Sequence, residues 1–344
     1  MASGMKWISS KIVFLFCLVI ILGISKESKA QDIHFSQYFF SPLSVNPAQT
    51  GFFNGTYRIA GNHRRQWAFH APIAFTTFST SVDFHLLDGA TGRGDFFGIG
   101  VFAVTDEAGS GGFKTTGVKG SISYYKQMDE FNGFSVGIQG GMIQMGFVKS
   151  TLRFGDEILL GVVGSQNLAN INMTSVSYVD FSAGALWSFS PNEDATIFTG
   201  IAMDHLTKPN ISFMGSNNTL SSRVLLHSGA NIHLNDEWDL LPNILYMHQL
   251  ANNELLFGSS VRYKVDKEIG TRVGVFYRYW NNSDAATIVA SLEYSTLLVS
   301  FSYDVNVSLL SSASKGAGGY EIALIYLGTV KGSGGPAKMK CPKF

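Results

Sequence analysis

The chain has 344 residues, a formal net charge of zero at pH 7, and only 15% charged residues. Soluble domains average about 25% charged residues, so this composition is apolar for a protein that folds in water. Proteins that bind nucleic acid usually carry a basic excess or patch, and this balance indicates no nucleic-acid partner. The two cysteines are Cys17 and Cys341.

The long apolar run of the chain lies at its N-terminus. Two lysines precede the run IVFLFCLVIILGI, and the polar stretch that follows ends in Ser-Lys-Ala. A basic start, a short apolar run and small residues at a cleavage site are the three parts of a secretory signal peptide. We therefore predict that residues 1–30 are removed by cleavage before Gln31, because the run is short for a helical membrane span.

Residues 31–55 precede the first strand candidate and are rich in aromatic side chains. Pro42, Pro47 and Gly51 interrupt regular secondary structure there. The aromatic content is too high for a solvated tail. We predict an N-terminal aromatic coil segment that packs against the rest of the protein, as a periplasmic or plug segment.

Strand-like alternation is clearest in residues 255–327. In GTRVGVFYRYW, one face carries Val273 and Val275, and the other carries Arg272 and Arg278. Successive side chains of a strand point to opposite faces, so one face is apolar and the other is polar or small. A membrane barrel places lipid outside and water inside, and an arginine that faces lipid at mid-bilayer costs about 2–4 kcal/mol. Both arginines should therefore face the lumen.

Fourteen strand candidates occur in residues 56–328, and most are long enough to cross hydrocarbon when tilted. This pattern predicts an all-β, transmembrane antiparallel β-barrel in outer-membrane lipid, followed by a periplasmic tail at residues 329–344. The even-numbered connections are short, as periplasmic turns are in such barrels. The connection at 148–174 is the longest, so it is the predicted outward contact with a partner; a disordered surface loop is the alternative.

Several co-linear motifs resemble the PorP/SprF family of Bacteroidota outer-membrane proteins. Near the C-terminus they are SYDVNVSLL, GAGGYEIALIY and the final CPKF. In the N-terminal segment and the first strand, the matching residues are Phe35, Ser36, Gln37, Tyr38, Asn46, Pro47, Ala48, Gly51, Asn62, Arg64, Gln66 and Trp67. The resemblance implies a role in type IX secretion and gliding motility, with partners among the secretion components and secreted cell-surface adhesins.

Charged residues fall on the polar parity of their strands and are predicted to line the lumen. With Arg64 they are Arg58, Arg272, Arg278, Glu293, Asp304 and Glu321. One interpretation is a polar lining that accommodates a polypeptide segment or water. The favoured interpretation is a self-neutralising network that braces a plugged barrel, with Arg278 and Glu293 on adjacent strands. Trp67 and its neighbours are expected to hold the FSQY segment in the periplasmic mouth.

No constellation of residues points to an enzyme, a cofactor or a metal site. The histidines are scattered, and Asp204-His205 beside a serine-rich loop is the least unfavourable candidate for catalysis. The expected function is binding: by the resemblance, the barrel holds the C-terminal domain of a secreted adhesin, or the secretion machinery. The alternative is a general diffusion porin or small-solute channel.

Overall fold

The alternating faces form a sheet that closes on itself. In the computed structural model of the protein, fourteen antiparallel strands pair in sequence order, and the last strand pairs with the first. Closure satisfies the backbone groups that an open edge would expose to lipid. The predicted transmembrane β-barrel of about fourteen strands is confirmed.

The structure describes residues 32–67, 75–86, 94–109, 112–148, 174–280, 285–308 and 311–330. The predicted signal peptide, most of the 148–174 connection and nearly all of the predicted tail lie outside the described residues.

The strands have between 10 and 15 residues. Their bounds are β1 Tyr57–Gln66, β2 Phe75–Leu86, β3 Phe96–Ala108, β4 Phe113–Gln127, β5 Asn132–Gly146, β6 Ser175–Phe189, β7 Ala195–Asp204, β8 Arg223–His233, β9 Trp238–Gln249, β10 Asn252–Lys264, β11 Ile269–Trp280, β12 Ala285–Tyr294, β13 Leu297–Asn306 and β14 Ala317–Gly328.

The helical elements are short. They are helix α1 at Pro42–Val45, helix α2 at Ser311–Ser314, and single 3-10 turns at Tyr38–Phe40 and Pro47–Gln49. Within the described ranges, no helix has the length and apolar character needed to cross a bilayer.

Burial follows the predicted parity of the strands. On β11, Val273 and Val275 are each 60% exposed, whereas Arg272 and Arg278 are 6% and 2% exposed. The outward positions of the other strands are likewise occupied by large exposed apolar side chains, such as Ile138 on β5 and Phe301 on β13. The apolar face therefore forms the outer wall and the polar face encloses the interior.

The two ends of the barrel differ in their connections. The end that carries the even-numbered connections, which include 128–131, 190–194 and 295–296, is called the short-turn mouth. The opposite end carries the two longest connections, 147–174 and 205–222, and is called the long-loop mouth. This asymmetry is the one that outer-membrane barrels show between their periplasmic and outer sides.

The wall of the barrel is taller on one side. Strands β4, β5 and β6 each have 15 residues, whereas β7, β12 and β13 have 10. At the long-loop mouth, Lys114, Gln144 and Ser177 occupy outward positions that are apolar deeper in the wall. The polar change indicates that β4–β6 rise beyond the hydrocarbon there.

The outer wall gives a direct test of the lipid-facing assignment. Ile138 is 64% exposed near the middle of β5, so Ile138→Arg should lower the free energy of unfolding from lipid vesicles by about 2–4 kcal/mol. Met128 is also exposed but lies in the turn after β4, where the same change should cost about 0–1 kcal/mol. Denaturant titration of both variants checks this, and equal costs would contradict a lipid-facing β5.

Candidate functional site

Residues 33–55 lie inside the barrel and are called the plug segment. They belong to one compact unit with the strands. Pro42 and Pro47 occupy the first turns of α1 and of the following 3-10 turn, where the missing N–H of proline is tolerated. The side chain of Asn46 accepts a hydrogen bond from the Ala48 N–H and so begins that turn. Most side chains of the segment are buried.

The plug segment crosses the lumen from one mouth to the other. Its start is at the long-loop mouth, where Arg64 donates to the His34 carbonyl at 2.8 Å and Arg223 donates to the Ile33 carbonyl at 3.2 Å. Its end is at the short-turn mouth, where the Thr56 N–H donates to Gly328, the last residue of β14.

Two expectations about the FSQY segment are wrong. The sequence predicts the segment at the periplasmic mouth, but Ser36 contacts residues at the long-loop end of the strands. From there the chain crosses the lumen and begins β1 at the short-turn mouth. Trp67 itself does not hold the segment, although its neighbour Arg64 binds the start of it through the His34 carbonyl. Trp67 has a left-handed backbone conformation (φ 58°), is 39% exposed, and packs edge-on against Phe75.

A buried cluster, called the Asp304 cluster, binds the start of the plug segment. It consists of Ser36, Arg64, Arg278, Asp304 and Glu321. Asp304 accepts hydrogen bonds from Ser36 Oγ (2.8 Å), Arg278 (3.1 Å) and Arg64 (3.3 Å). Glu321 accepts from the backbone N–H groups of Ser36 (2.6 Å) and Gln37 (2.9 Å). Two carboxylates and two guanidinium groups therefore share one site with the backbone of the segment.

The middle of the segment is held by Asn46. Its side-chain amide donates to the Ala185 carbonyl at 3.0 Å and lies 3.0 Å from Nε2 of the buried His227. Gly184 faces Asn46, and Gly137 on β5 faces the backbone of Pro47; a Cβ at either glycine would collide with the segment. The wall therefore uses glycine where the segment approaches most closely.

A second ion pair binds the end of the segment. Arg58 is fully buried and donates to both carboxylate oxygens of Asp83, at 3.0 and 2.7 Å. It also donates to the Gln49 carbonyl at 3.0 Å, and Asp83 accepts from the Gly51 N–H at 2.8 Å. Gly51 has φ 75°, a conformation that glycine adopts without strain.

The remaining predicted lumen charges form a group near the short-turn mouth. Glu293 pairs with Arg272 and, at 2.6 Å, with Arg262, while Arg262 also contacts Asp239 at 3.0 Å. Arg278 pairs with Asp304 rather than with Glu293.

The other residues of the family motifs are placed as follows. Phe35, Gln37, Tyr38, Asn46, Pro47, Ala48 and Gly51 are buried in the plug segment. Asn62 is buried on the inner face of β1, and Gln66 is half-buried at its end.

The two residues of the catalytic candidate, Asp204 and His205, contact different charged partners and not each other's. Asp204 accepts two hydrogen bonds from Arg223, at 3.0 and 2.7 Å. The Nδ1 atom of His205 lies 3.0 Å from Asp180, which also accepts from Lys119 at 2.6 Å. Over the part of the chain that the structure describes, no group of three metal-ligating side chains occurs.

Together, the closed wall, the apolar outer belt and the filled lumen define an outer-membrane β-barrel whose interior is occupied by its own N-terminal segment. The chain belongs to the PorP/SprF family of type IX secretion system membrane proteins, whose family model matches residues 27–326. No curated protein sequence matches the chain.

Solved structures with a similar fold are outer-membrane channels. The TodX deltaS2S3 mutant, a monoaromatic hydrocarbon channel, aligns with a TM-score of 0.51 and 11% identity over 82% of this chain and 92% of its own. The CymD monoaromatic hydrocarbon channel aligns with a TM-score of 0.50 and 11% identity over 85% and 93%. At this identity the likeness shows the fold alone.

The Asp304 cluster predicts a large loss of stability when its carboxylate is neutralised. Asp304→Asn leaves Arg64 and Arg278 buried with less compensating charge, so the barrel should lose about 3–5 kcal/mol of unfolding free energy. Urea unfolding in detergent micelles measures this. Asp194→Asn, in the exposed turn after β6, is the matched control and should change little; an equally small effect at Asp304 would contradict the cluster's role.

Proposed function

We propose that this barrel is a docking component of type IX secretion. It binds a secreted adhesin through its C-terminal domain, or binds the secretion machinery, and so supports surface retention of the adhesin and gliding motility. The observation that carries this proposal is the occupied lumen, in which the plug segment is bound at its start, middle and end by buried side chains of the wall.

Removing the plug segment from the lumen would be costly. Ser36, Gln37 and Gly51 give backbone N–H groups to buried carboxylates, and Gln49 gives a carbonyl to Arg58. Their loss would leave buried charges without part of their hydrogen bonding, and each such defect costs about 1–3 kcal/mol or more. The segment therefore acts as part of the wall, and a partner is expected to bind at the surface.

The long-loop mouth offers the more elaborate surface. The 205–222 connection folds back on itself through an Asn210–Thr219 bridge, and Phe213 packs on Phe113 and Phe147 from the rims of β4 and β5. The same connection exposes Met214 to solvent. Ordered loops on a rigid scaffold are common binding sites, which favours this mouth for docking.

A small-solute channel is the second candidate. It is favoured by a cavity that remains beside the plug segment, lined by Phe39 and Phe40 of the segment and by Phe198, Leu241 and Arg272 of the wall. The two functions differ in planar-bilayer conductance. A large, stable open pore would favour the channel, and the docking proposal expects none.

Capture from the native envelope tests the docking proposal. Wild-type barrel, purified in mild detergent from its own envelope, should retain a secreted adhesin or secretion component that mass spectrometry identifies. Met214→Lys should reduce this retention, because the exposed methionine lies at the long-loop mouth. Val265→Lys, an equally drastic change of an exposed apolar residue in the turn after β10, should not. Recovery of the barrel alone would contradict the proposal.

A further inference from the structure

Strand β6 continues past the point where its neighbour ends. β5 pairs with β6 over its full length, from Ser175 to Phe189. β7 pairs with β6 only from Ala183 to Phe189. Among the residues that the structure describes, no strand pairs with residues 175–182 on the side that faces β7. These eight residues are called the β6 edge.

The edge exists because the chain turns away after β7. His205 has a left-handed backbone conformation (φ 56°), and its ring is directed to the buried Asp180. The following loop then crosses the mouth, where Phe213 packs on Phe113 and Phe147. Near the edge it contributes hydrogen bonds from the Leu206 N–H to the Phe181 carbonyl (3.0 Å) and from Thr207 Oγ1 to the Val179 carbonyl (3.3 Å).

The direction of the Leu206 bond identifies the groups that the edge presents. Because the Phe181 carbonyl points toward β7, and orientation alternates along a strand, residues 175, 177 and 179 also point their backbone groups that way. The N–H of Val179 and both backbone groups of Ser177 and Ser175 have no backbone partner within the described ranges.

The composition of the edge suits strand pairing. Proteins usually protect a free edge with lysine, proline or an inward charge that disrupts pairing. The sequence SVSYVDFS contains neither lysine nor proline, and the side chain of its one charged residue, Asp180, is already bound to Lys119 inside the barrel. Val176, Tyr178 and Val179 are residues that favour strands. Ser175 and Ser177 point outward beside the polar rim of β4–β6, so this end of the edge is in water.

We propose that the β6 edge is a strand-addition site, at which an extended segment of the secreted partner pairs with residues 175–182 at the long-loop mouth. This inference rests on the proposed docking function and names the surface and the form of the partner. A row of alternating N–H and C=O groups is matched most completely by another extended backbone, which is how strand addition gives affinity. Exposed Val179 and Leu206 add apolar contacts beside the row.

A proline substitution separates the backbone of Ser177 from its side chain. Ser177→Pro removes an N–H that faces the edge but leaves the β5 pairing of its neighbours, and proline is tolerated on an edge in this orientation. In the envelope capture described above, the variant should lose the co-purifying partner. Ser177→Ala keeps the N–H and should retain the partner as wild type does. Heat-dependent migration on gels checks that both variants are folded barrels.

The outcomes distinguish this inference from the function on which it rests. Retention of the partner by folded Ser177→Pro would overturn the strand-addition site and leave docking intact, whereas a wild-type barrel that captures nothing would overturn both. If Ser177→Pro fails to fold, amide exchange of wild-type barrel decides. The 175–182 backbone should exchange more slowly with the captured partner bound, and unchanged exchange would overturn the inference.

Discussion

A charged side chain inside a closed barrel must find its partner inside the same barrel, and this constraint organises the whole molecule. Arg58 is fully buried, and Asp304 and Glu321 are nearly so. The wall supplies counter-charges for each, but the wall alone leaves hydrogen-bonding positions unfilled. Backbone groups of Ser36, Gln37, Gln49 and Gly51 fill them. The plug segment thus completes the polar interior, and the interior in turn fixes the path of the plug segment.

The same relationship explains how the plug segment is fixed within the lumen. The wall has glycine at positions 137 and 184, because Pro47 and Asn46 approach the strands there and leave no room for a side chain. Asn46 then binds backbone carbonyls of two neighbouring strands, Ala185 on β6 and Ile201 on β7. Packing, hydrogen bonding and ion pairing all stabilise the segment in one position. A binding function is therefore expected at the rims of the barrel.

The sequence predicted the features that depend on local alternation. The parity of Arg272 and Val273 follows from a period of two, and so do the strand count and the inward direction of the charges. The pairing of those charges did not follow. Arg278 pairs with Asp304 instead of Glu293, because the strand register places Arg278 opposite Ala285 at one end of β12 and Glu293 opposite Gly270 at the other end.

The path of residues 33–55 also could not be predicted from local sequence patterns, because the motif FSQY does not indicate which mouth of the barrel it occupies. The glycines of the wall carry a signal of this path. Inward positions of neighbouring strands carry glycine at 137, 184 and 200, where a polar or aromatic side chain would normally fill the lumen. Such gaps indicate close approach of another backbone. The position of Trp67 likewise does not follow from local pattern, because its left-handed conformation ends β1 and leaves the ring partly exposed.

The most direct test of this account is to tether the plug segment to the wall. The hydroxyl oxygens of Thr50 and Ser121 are 3.0 Å apart, so Thr50→Cys with Ser121→Cys is placed to form a disulfide, with Cys341→Ser to remove the native thiol. If the segment is a fixed part of the interior, the oxidised barrel should support surface retention of the proposed adhesin partner as well as the reduced one does. Loss of surface retention on oxidation, restored by reductant, would show that the segment must leave the lumen and would contradict the account.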